Sequence, residues 1–123
     1  MKRILDVGQC QPDHATIRAY FSKHFDCEIV QTHGPEDTLA ALQTGDFDLV
    51  LINRKLDRDY SDGIEIIRQM KADPTVAQVP VMLITNYAEH QEAAVAAGAL
   101  RGFGKLEYDQ PETLAKLQAV LNV

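Results

Sequence analysis

The chain has 123 residues, the usual length of one folded domain, so we predict a single domain over residues 1–123. Its 46% hydrophobic and 24% charged residues are typical of globular proteins, and no apolar run approaches the roughly 20 residues of a membrane span. The formal net charge of -6 argues against direct binding to nucleic acid, because phosphate backbones attract basic surfaces.

The N-terminus lacks the pattern of a secretory signal. Met1-Lys2-Arg3 leads directly into a short apolar run that Asp6 interrupts. We therefore predict a cytoplasmic protein. The two cysteines, Cys10 and Cys27, form no CxxC pair and no metal-binding spacing, which favours a reduced free thiol on each.

Hydrophobic periodicity alternates between strand and helix five times along the chain. Short apolar runs predict strands at residues 4–7, 28–31, 49–52, 79–85 and 101–105. Helical spacing with proline, acidic and glycine boundary signals predicts helices at residues 12–25, 35–45, 63–70, 89–97 and 111–121. Five such βα units in succession predict an α/β fold with one parallel sheet and helices on both faces.

Open parallel sheets bind ligands beyond the carboxyl ends of their strands, so the loops there are the candidate site. The stretch "DLVLIN" ends in Asn53, where a buried strand meets a polar amide. Gly8 and Gln9 follow the first strand, Thr85 ends the fourth and Lys105 ends the fifth. These five positions are expected at one edge of the sheet.

The chain resembles the receiver domain of bacterial two-component response regulators over its whole length. The likeness is carried, in order, by "RILDV" with "PDHATIRAYF", "FDLVLINRKL" with "DGIEIIRQMKAD", "VPVMLIT", "AAGA" and the strand that ends at Lys105. The resemblance implies a doubly wound, flavodoxin-like (βα)5 fold with strand order 2-1-3-4-5. It also implies a role in phosphorelay signal transduction.

Receivers of this family take a phosphoryl group on an aspartate at the end of the third strand. That residue and an acidic pair after the first strand hold a divalent cation. Here Asn53 stands at the phosphoacceptor position, and Gly8 and Gln9 stand at the acidic pair. An amide nitrogen is no nucleophile and neutral side chains bind Mg²⁺ poorly, so we predict neither phosphorylation nor a bound metal or cofactor.

Other acids offer alternatives for the lost site. An alignment gap would bring Asp6 or Cys10 toward the first loop. A second acidic group, made of Asp57, Asp59 and Asp62, follows the third strand in a loop about two residues longer than is usual for the family. Solvated loop charge is the favoured interpretation of that group over ligation.

Two further family positions are retained. Thr85 matches the family's hydroxyl switch and Lys105 its phosphate-contacting lysine, although each residue also has a structural explanation as a helix cap or a cation answering nearby acids. Asn53 is expected to hydrogen-bond Lys105 or Thr85. Lys105 then has no close carboxylate at position 53, so we expect a water molecule or a loop acid to pair with it.

The end of the fifth strand departs from the family pattern. No proline follows Lys105, and the aromatic switch position falls on Gly102. The neighbouring Phe103 should point to the opposite face of the sheet unless the strand shifts register.

These features predict a pseudo-receiver, which we define as a receiver that signals through protein contacts without phosphorylation. The resemblance implies a partner surface on the fourth helix, fifth strand and fifth helix, with signalling proteins or a second copy as partners. Its expected members are Tyr87, His90, Leu106 and Tyr108. For Tyr108, packing beneath the fifth helix is an equal alternative.

The alternative from another class is a flavodoxin-like small-molecule or thiol redox-sensing domain. Cys10 lies near a helix N-terminus, which lowers thiol pKa values, but "GQCQPDH" lacks the glycines and hydroxyls of a phosphate cradle. An enzyme is not expected, because no nucleophile-histidine-acid or zinc-type grouping falls on the converging loops.

Overall fold

Five strands and five helices alternate along the chain, and the computed structural model describes all 123 residues. The strands are β1 (Lys2–Val7), β2 (Cys27–Thr32), β3 (Leu49–Asn53), β4 (Val81–Ile84) and β5 (Leu100–Phe103). The helices are α1 (Gln11–His24), α2 (Pro35–Thr44), α3 (Ile64–Ala72), α4 (Ala88–Ala96) and α5 (Pro111–Leu121). All strands are parallel, in the order β2-β1-β3-β4-β5, which confirms the predicted doubly wound sheet.

Element ends differ from the predictions by at most two residues. β4 begins at Val81 and not at residue 79, because Pro80 has no N–H to donate to the ladder. β5 stops at Phe103 and not at residue 105, because the N–H of Gly104 donates to the Glu107 carboxylate. The hydrophobic pattern therefore predicts where each strand lies, but not the residue at which its ladder of hydrogen bonds ends.

The central strand β3 is apolar on both faces. Leu49 and Leu51 pack with α1 and α5, whereas Val50 and Ile52 pack with α3 and α4, and all four are fully buried. Burial of each such side chain stabilises the fold by about 1.5 to 3 kcal/mol. The sheet is thus covered on both sides, and its polar groups collect at the strand ends.

Strand register aligns the candidate residues at one edge. Asp6 in β1 pairs with Leu51, and Asn53 pairs with Ile84. Gly8 and Thr85 each follow a strand directly, so both reach the same edge as Asn53. None of the helices has both the length and the apolarity that crossing a lipid bilayer requires.

Candidate functional site

A cavity of about 210 Å³ opens at the carboxyl edge of the sheet, beside the ends of β3, β4 and β5. Its lining residues are Asn53, Arg54, Lys55, Ile84, Thr85, Asn86, Tyr87 and Lys105. Three of the positions predicted from the sequence, Asn53, Thr85 and Lys105, therefore share one cavity. Gly8 and Gln9 are buried beside β1 and do not line it.

Asn53 ties the end of β3 to its surroundings through its amide nitrogen. Nδ2 donates to the carbonyl oxygen of Lys55 at 2.7 Å and to that of Gly8 at 3.3 Å. The expectation that this amide bonds Lys105 or Thr85 is wrong, because Lys105 Nζ donates to Asp13 and the Thr85 hydroxyl contacts Tyr87 and His90. Asn53 consequently holds the β1–α1 turn against β3 and presents no nucleophile to the cavity.

Leu56 closes the region above Gly8. Gly8 has a φ of +75°, which favours glycine, and a Cβ at this position would lie 2.5 Å from Leu56 Cδ2 and 3.2 Å from Leu56 Cα. The Gly8 carbonyl also accepts a hydrogen bond from the N–H of Asp57 at 3.0 Å. An apolar side chain from the β3–α3 loop thus occupies the space into which an acidic residue at position 8 would project.

Gln9 is fully buried, and neither polar atom of its side chain bonds another protein group. Its backbone carbonyl accepts a hydrogen bond from Gln31 Nε2 at 3.4 Å. The two positions of the expected acidic pair therefore carry a glycine under a leucine and a buried neutral amide. Together with Asn53 they do not fit a divalent cation, which needs carboxylate oxygens at this edge.

Asp6 is the one buried acid near this edge, and it pairs with α1. Its side chain has no solvent exposure, and Oδ2 accepts a hydrogen bond from His14 Nδ1 at 2.6 Å, while Oδ1 has no partner. Burial raises the pKa of Asp6 to about 6, although His14 and Lys105 partly offset this effect. Asp6 does not line the cavity that Asn53, Thr85 and Lys105 share.

Lys105 pairs with Asp13 in the first turn of α1, with Nζ and Oδ2 2.5 Å apart. Burial raises the pKa of Asp13, but hydrogen bonds from Lys105 and Cys10 outweigh it, so this pKa lies below its usual value. The prediction of a water or loop acid beside Lys105 is wrong, because the acid comes from a helix. Asp13 was detectable as a first-turn acid at the same sheet edge.

Thr85 uses its hydroxyl at the start of α4. The N–H of Tyr87 donates to Thr85 Oγ1 at 3.3 Å, and His90 Nδ1 lies 3.4 Å from the same oxygen. The ring centroids of Tyr87 and His90 are 5.5 Å apart in an edge-on arrangement. Thr85 therefore connects the end of β4 to Tyr87, which is the N-cap residue of α4.

Gln91 was not predicted from the sequence as a site residue, and its buried side chain joins α4 to two strands. Nε2 donates to the carbonyls of Leu83 at 3.0 Å and Thr85 at 3.2 Å, and Oε1 accepts from the N–H of Gly102 at 2.8 Å. Only its position within an alanine-rich helix marked it in the sequence. These three bonds connect α4 to the end of β4 and to β5.

The register of β5, which the sequence did not determine, is shifted relative to β4. Met82 pairs with Leu100 and Ile84 with Phe103, so β5 has one more residue than β4 between these two pairs. Phe103 is buried in the cluster that faces α1 and α5, and Gly102 occupies the bulge, where a Cβ would lie 2.2 Å from the Leu83 carbonyl oxygen. An aromatic side chain at position 102 is therefore excluded.

Asp59 and Asp62 of the β3–α3 loop accept hydrogen bonds from residues within the loop or at its end. Asp59 Oδ1 accepts hydrogen bonds from the N–H and hydroxyl of Ser61, and Asp62 Oδ1 accepts from the N–H of Ile64. Asp57 Oδ1 lies 3.7 Å from His33 Nδ1. No three His, Cys, Asp or Glu side chains are placed to hold a metal ion. Cys10 is exposed and hydrogen-bonds Asp13 at the start of α1.

The four residues expected on the partner surface separate into two groups. Tyr87 and Leu106 are 63% and 77% exposed, and His90 is partly buried beside Tyr87. Tyr108 instead packs on Tyr20 of α1, with ring centroids 4.9 Å apart, and on Phe103 at 5.6 Å. The packing alternative therefore describes Tyr108, and burial raises the pKa of its hydroxyl.

Comparison with known proteins identifies one family. The model of the response regulator receiver domain matches residues 11–117. No curated protein sequence matches the chain.

Several solved structures share the fold. The signal receiver domain of a DNA-binding response regulator from Colwellia psychrerythraea 34H has a TM-score of 0.82 at 20% identity, with 100% of both chains covered. The Vibrio cholerae chemotaxis protein CheY4 has a TM-score of 0.76 at 20% identity, with 98% of both chains covered. The Mn²⁺-bound form of response regulator Rcp1 has a TM-score of 0.71 at 18% identity, covering 98% of this chain and 91% of its own.

Proposed function

The chain belongs to the response regulator receiver domain family, and from this membership we propose that it is a pseudo-receiver. In this role it acts in bacterial two-component signal transduction as a phosphorylation-independent protein-interaction module. It is not an enzyme, and it uses no metal or cofactor. The proposal separates the receiver fold, which the chain retains, from the phosphoryl chemistry that the fold usually serves.

The observation that carries the proposal is the pairing of Asn53 with the Gly8–Leu56 contact. Asn53 offers no carboxylate oxygen for an acyl phosphate. Leu56 fills the place from which an acid after β1 would reach a cation. Since the nucleophile and the metal ligands are absent together, restoring either one alone is not expected to restore phosphorylation.

The hydrogen bonds around α4 support a constitutive signal. Gln91 connects α4 to β4 and β5. The hydroxyl oxygen of Thr85 accepts a hydrogen bond from the N–H of Tyr87 at the start of α4. In a switching receiver these elements must change position, which requires a ligand that favours the second state. Here the face made by α4, β5 and α5 is instead presented in one shape.

We propose that signalling proteins or a second copy of the chain bind this face. Tyr87, His90 and Leu106 remain its candidate contacts, because exposed aromatic and large apolar side chains are frequent interface anchors. Val95 of α4 and Leu100 of β5, each nearly half-exposed, are further apolar side chains on the elements of this face. Tyr108 supports this face from below and is not proposed as a contact. The net charge of -6 continues to argue against direct nucleic-acid binding.

The proposal is tested by treating the protein with acetyl phosphate and Mg²⁺, and separately with beryllofluoride and Mg²⁺. Intact mass spectrometry should show no added phosphoryl group, and amide NMR spectra should show no saturable change with beryllofluoride. The Asn53→Asp variant is the matched control, and it too should remain unlabelled because no acidic pair accompanies it. A stoichiometric mass gain in the unmodified protein would contradict the proposal.

A further inference from the structure

A cavity of about 410 Å³ opens at the amino edge of the sheet, opposite to the edge that carries Asn53. Lys2 at the start of β1 lines it, as do Asp48 and Pro80, which directly precede β3 and β4. No lining residue is shared with the cavity beside Asn53. The volume falls in the range of roughly 300 to 1,000 Å³ that is usual for small-molecule pockets, so its size suits a small organic ligand.

Apolar side chains form much of the lining of this cavity. Phe47, Val76 and Leu121 are buried, and they belong to the hydrophobic clusters on the two faces of the sheet. The remaining apolar members are Leu42, Val79 and Val120. The guanidinium of Arg3 lies over the Phe47 ring, 4.5 Å from its centroid. Because the core holds these side chains in place, they offer a preformed apolar surface to a ligand.

Acidic side chains outnumber basic ones around the cavity. Asp46 and Asp48 line it, and Lys2 is the one basic lining residue. None of these three residues takes part in a salt bridge. Asp48 Oδ2 accepts a hydrogen bond from the N–H of Arg3 at 2.8 Å, which orients the carboxylate without neutralising its charge. The lining thus retains carboxylates with which a cation from outside the chain can pair.

Two helix C-termini add negative potential at the same place. Gly45 follows the last turn of α2 and Asn122 follows that of α5, and both residues line the cavity. The C-terminal end of a helix carries a partial negative charge, which basic residues in the last turn offset. α1 and α3 have such basic residues, whereas α2 and α5 have none. The negative ends of α2 and α5 therefore reinforce Asp46 and Asp48 in favouring a cation.

We propose that this cavity binds a small organic cation, namely an ammonium group carried on a short apolar body. The ammonium group pairs with Asp46 and Asp48, and the apolar body contacts Phe47, Val76 and Val79. An organic cation fits better than a metal ion, because no three acids, histidines or cysteines converge here and apolar side chains form much of the lining. The inference goes beyond the proposed function, since the cavity shares no residue with the candidate contacts of the partner face.

Amide NMR titration with hexylammonium chloride in low-salt buffer tests this site, with hexanol and sodium hexanoate as neutral and anionic probes of the same chain length. Hexylammonium should produce saturable shifts at Thr75 and Asn122, which line the cavity. Hexanol should bind about tenfold more weakly and hexanoate more weakly still, because the lining attracts cations. Butylammonium should bind more weakly than hexylammonium, by about two- to fourfold for each methylene removed from the apolar lining.

Variants at the acids separate this site from a general attraction of cations to an acidic protein. Asp46→Asn and Asp48→Asn should each weaken hexylammonium binding about two- to fivefold, as expected for one partly exposed ion pair. Asp48→Asn keeps an oxygen that can accept the N–H of Arg3, so folding should be unaffected. Asp109→Asn is the matched control and should leave binding unchanged, because Asp109 is an exposed acid of the β5–α5 loop that does not line the cavity. Equal weakening by Asp109→Asn, hexanoate binding as tight as that of hexylammonium, or no saturable shift at millimolar hexylammonium would overturn the inference.

Discussion

Leu56 and Gly8 are in contact across the carboxyl edge of the sheet, and this contact decides what position 8 tolerates. A Cβ added to Gly8 would lie 2.5 Å from Leu56 Cδ2, and the Gly8 backbone has a φ of +75°. Either feature alone disfavours a side chain. Together they mean that the packing of the β3–α3 loop on the β1–α1 turn leaves no room for an acidic side chain at position 8.

Replacing Gly8 with Ala should therefore destabilise the protein by about 2 to 4 kcal/mol, the combined cost of a left-handed backbone and an overpacked contact. Gly34→Ala is the matched control, because nothing lies within 4 Å of a Cβ there and its φ of -147° is ordinary. That variant should stay within about 1 kcal/mol of the parent. Urea unfolding of both variants measures the difference, and equal stabilities would contradict the steric account of Gly8.

The buried Asp6 carboxyl predicts a particular pH dependence. Its folded-state pKa of about 6 lies above the ordinary value of 3.8, so the folded protein binds this proton more tightly than the unfolded chain does. Stability contributed by Asp6 is present below pH 3.8 and is lost as the pH rises to about 6. At about 1.4 kcal/mol for each pH unit, the loss amounts to about 3 kcal/mol.

The Asp6→Asn variant isolates this effect, because the amide keeps an acceptor for His14 but does not titrate. Relative to the parent, Asp6→Asn should gain stability as the pH rises from about 4 to about 7. Asp46→Asn, at an exposed acid without an ion pair, should show no such trend. Chemical denaturation across this pH range measures both differences, and a flat difference for Asp6→Asn would mean that Asp6 titrates as in the unfolded chain.

Periodicity predicted the fold because it depends on local patterns that tertiary contacts reinforce. Apolar runs such as residues 49–52 are buried on both faces, and Pro111 begins α5 where predicted. The strand ends were less predictable, since they depend on bonds such as that from Gly104 to Glu107. Those bonds join side chains to backbone groups and leave no periodic trace in the sequence.

The candidate site was predictable to the extent that it follows strand ends. Asn53, Thr85 and Lys105 share one cavity because parallel strands end together. The sequence did not reveal Leu56 above Gly8 or the role of Gln91, because a loop conformation and a side-chain rotamer determine these contacts. Both are tertiary features without a local signal.

Gln91 should contribute strongly to stability through its three buried hydrogen bonds. Gln91→Ala removes the side-chain partner of two carbonyls and one N–H and should cost about 2 to 4 kcal/mol. Amide exchange at Gly102 should accelerate, because its acceptor is removed. Gln118→Ala, on the exposed side of α5, should change stability by less than about 0.5 kcal/mol. Unchanged exchange at Gly102 in Gln91→Ala would show that α4 and β5 are held together by other contacts.

The last prediction concerns partner binding and distinguishes exposed from supporting residues on the proposed face. Tyr87→Ala and Leu106→Ala remove well-exposed side chains and should weaken partner binding by about 1 to 3 kcal/mol each, with little effect on the free energy of unfolding. Tyr108→Ala removes a ring packed on Tyr20 and Phe103 and should chiefly lower stability.

The measurement is the affinity of each variant for a partner recovered from the native host, with sedimentation equilibrium as the corresponding test for a second copy of the chain. Asn53→Ala should have little effect on either, since Asn53 lies in the cavity and not on the face. If Asn53→Ala abolished binding while Tyr87→Ala and Leu106→Ala did not, the cavity itself would be the recognition surface. The proposal that α4, β5 and α5 present the signal would then be wrong.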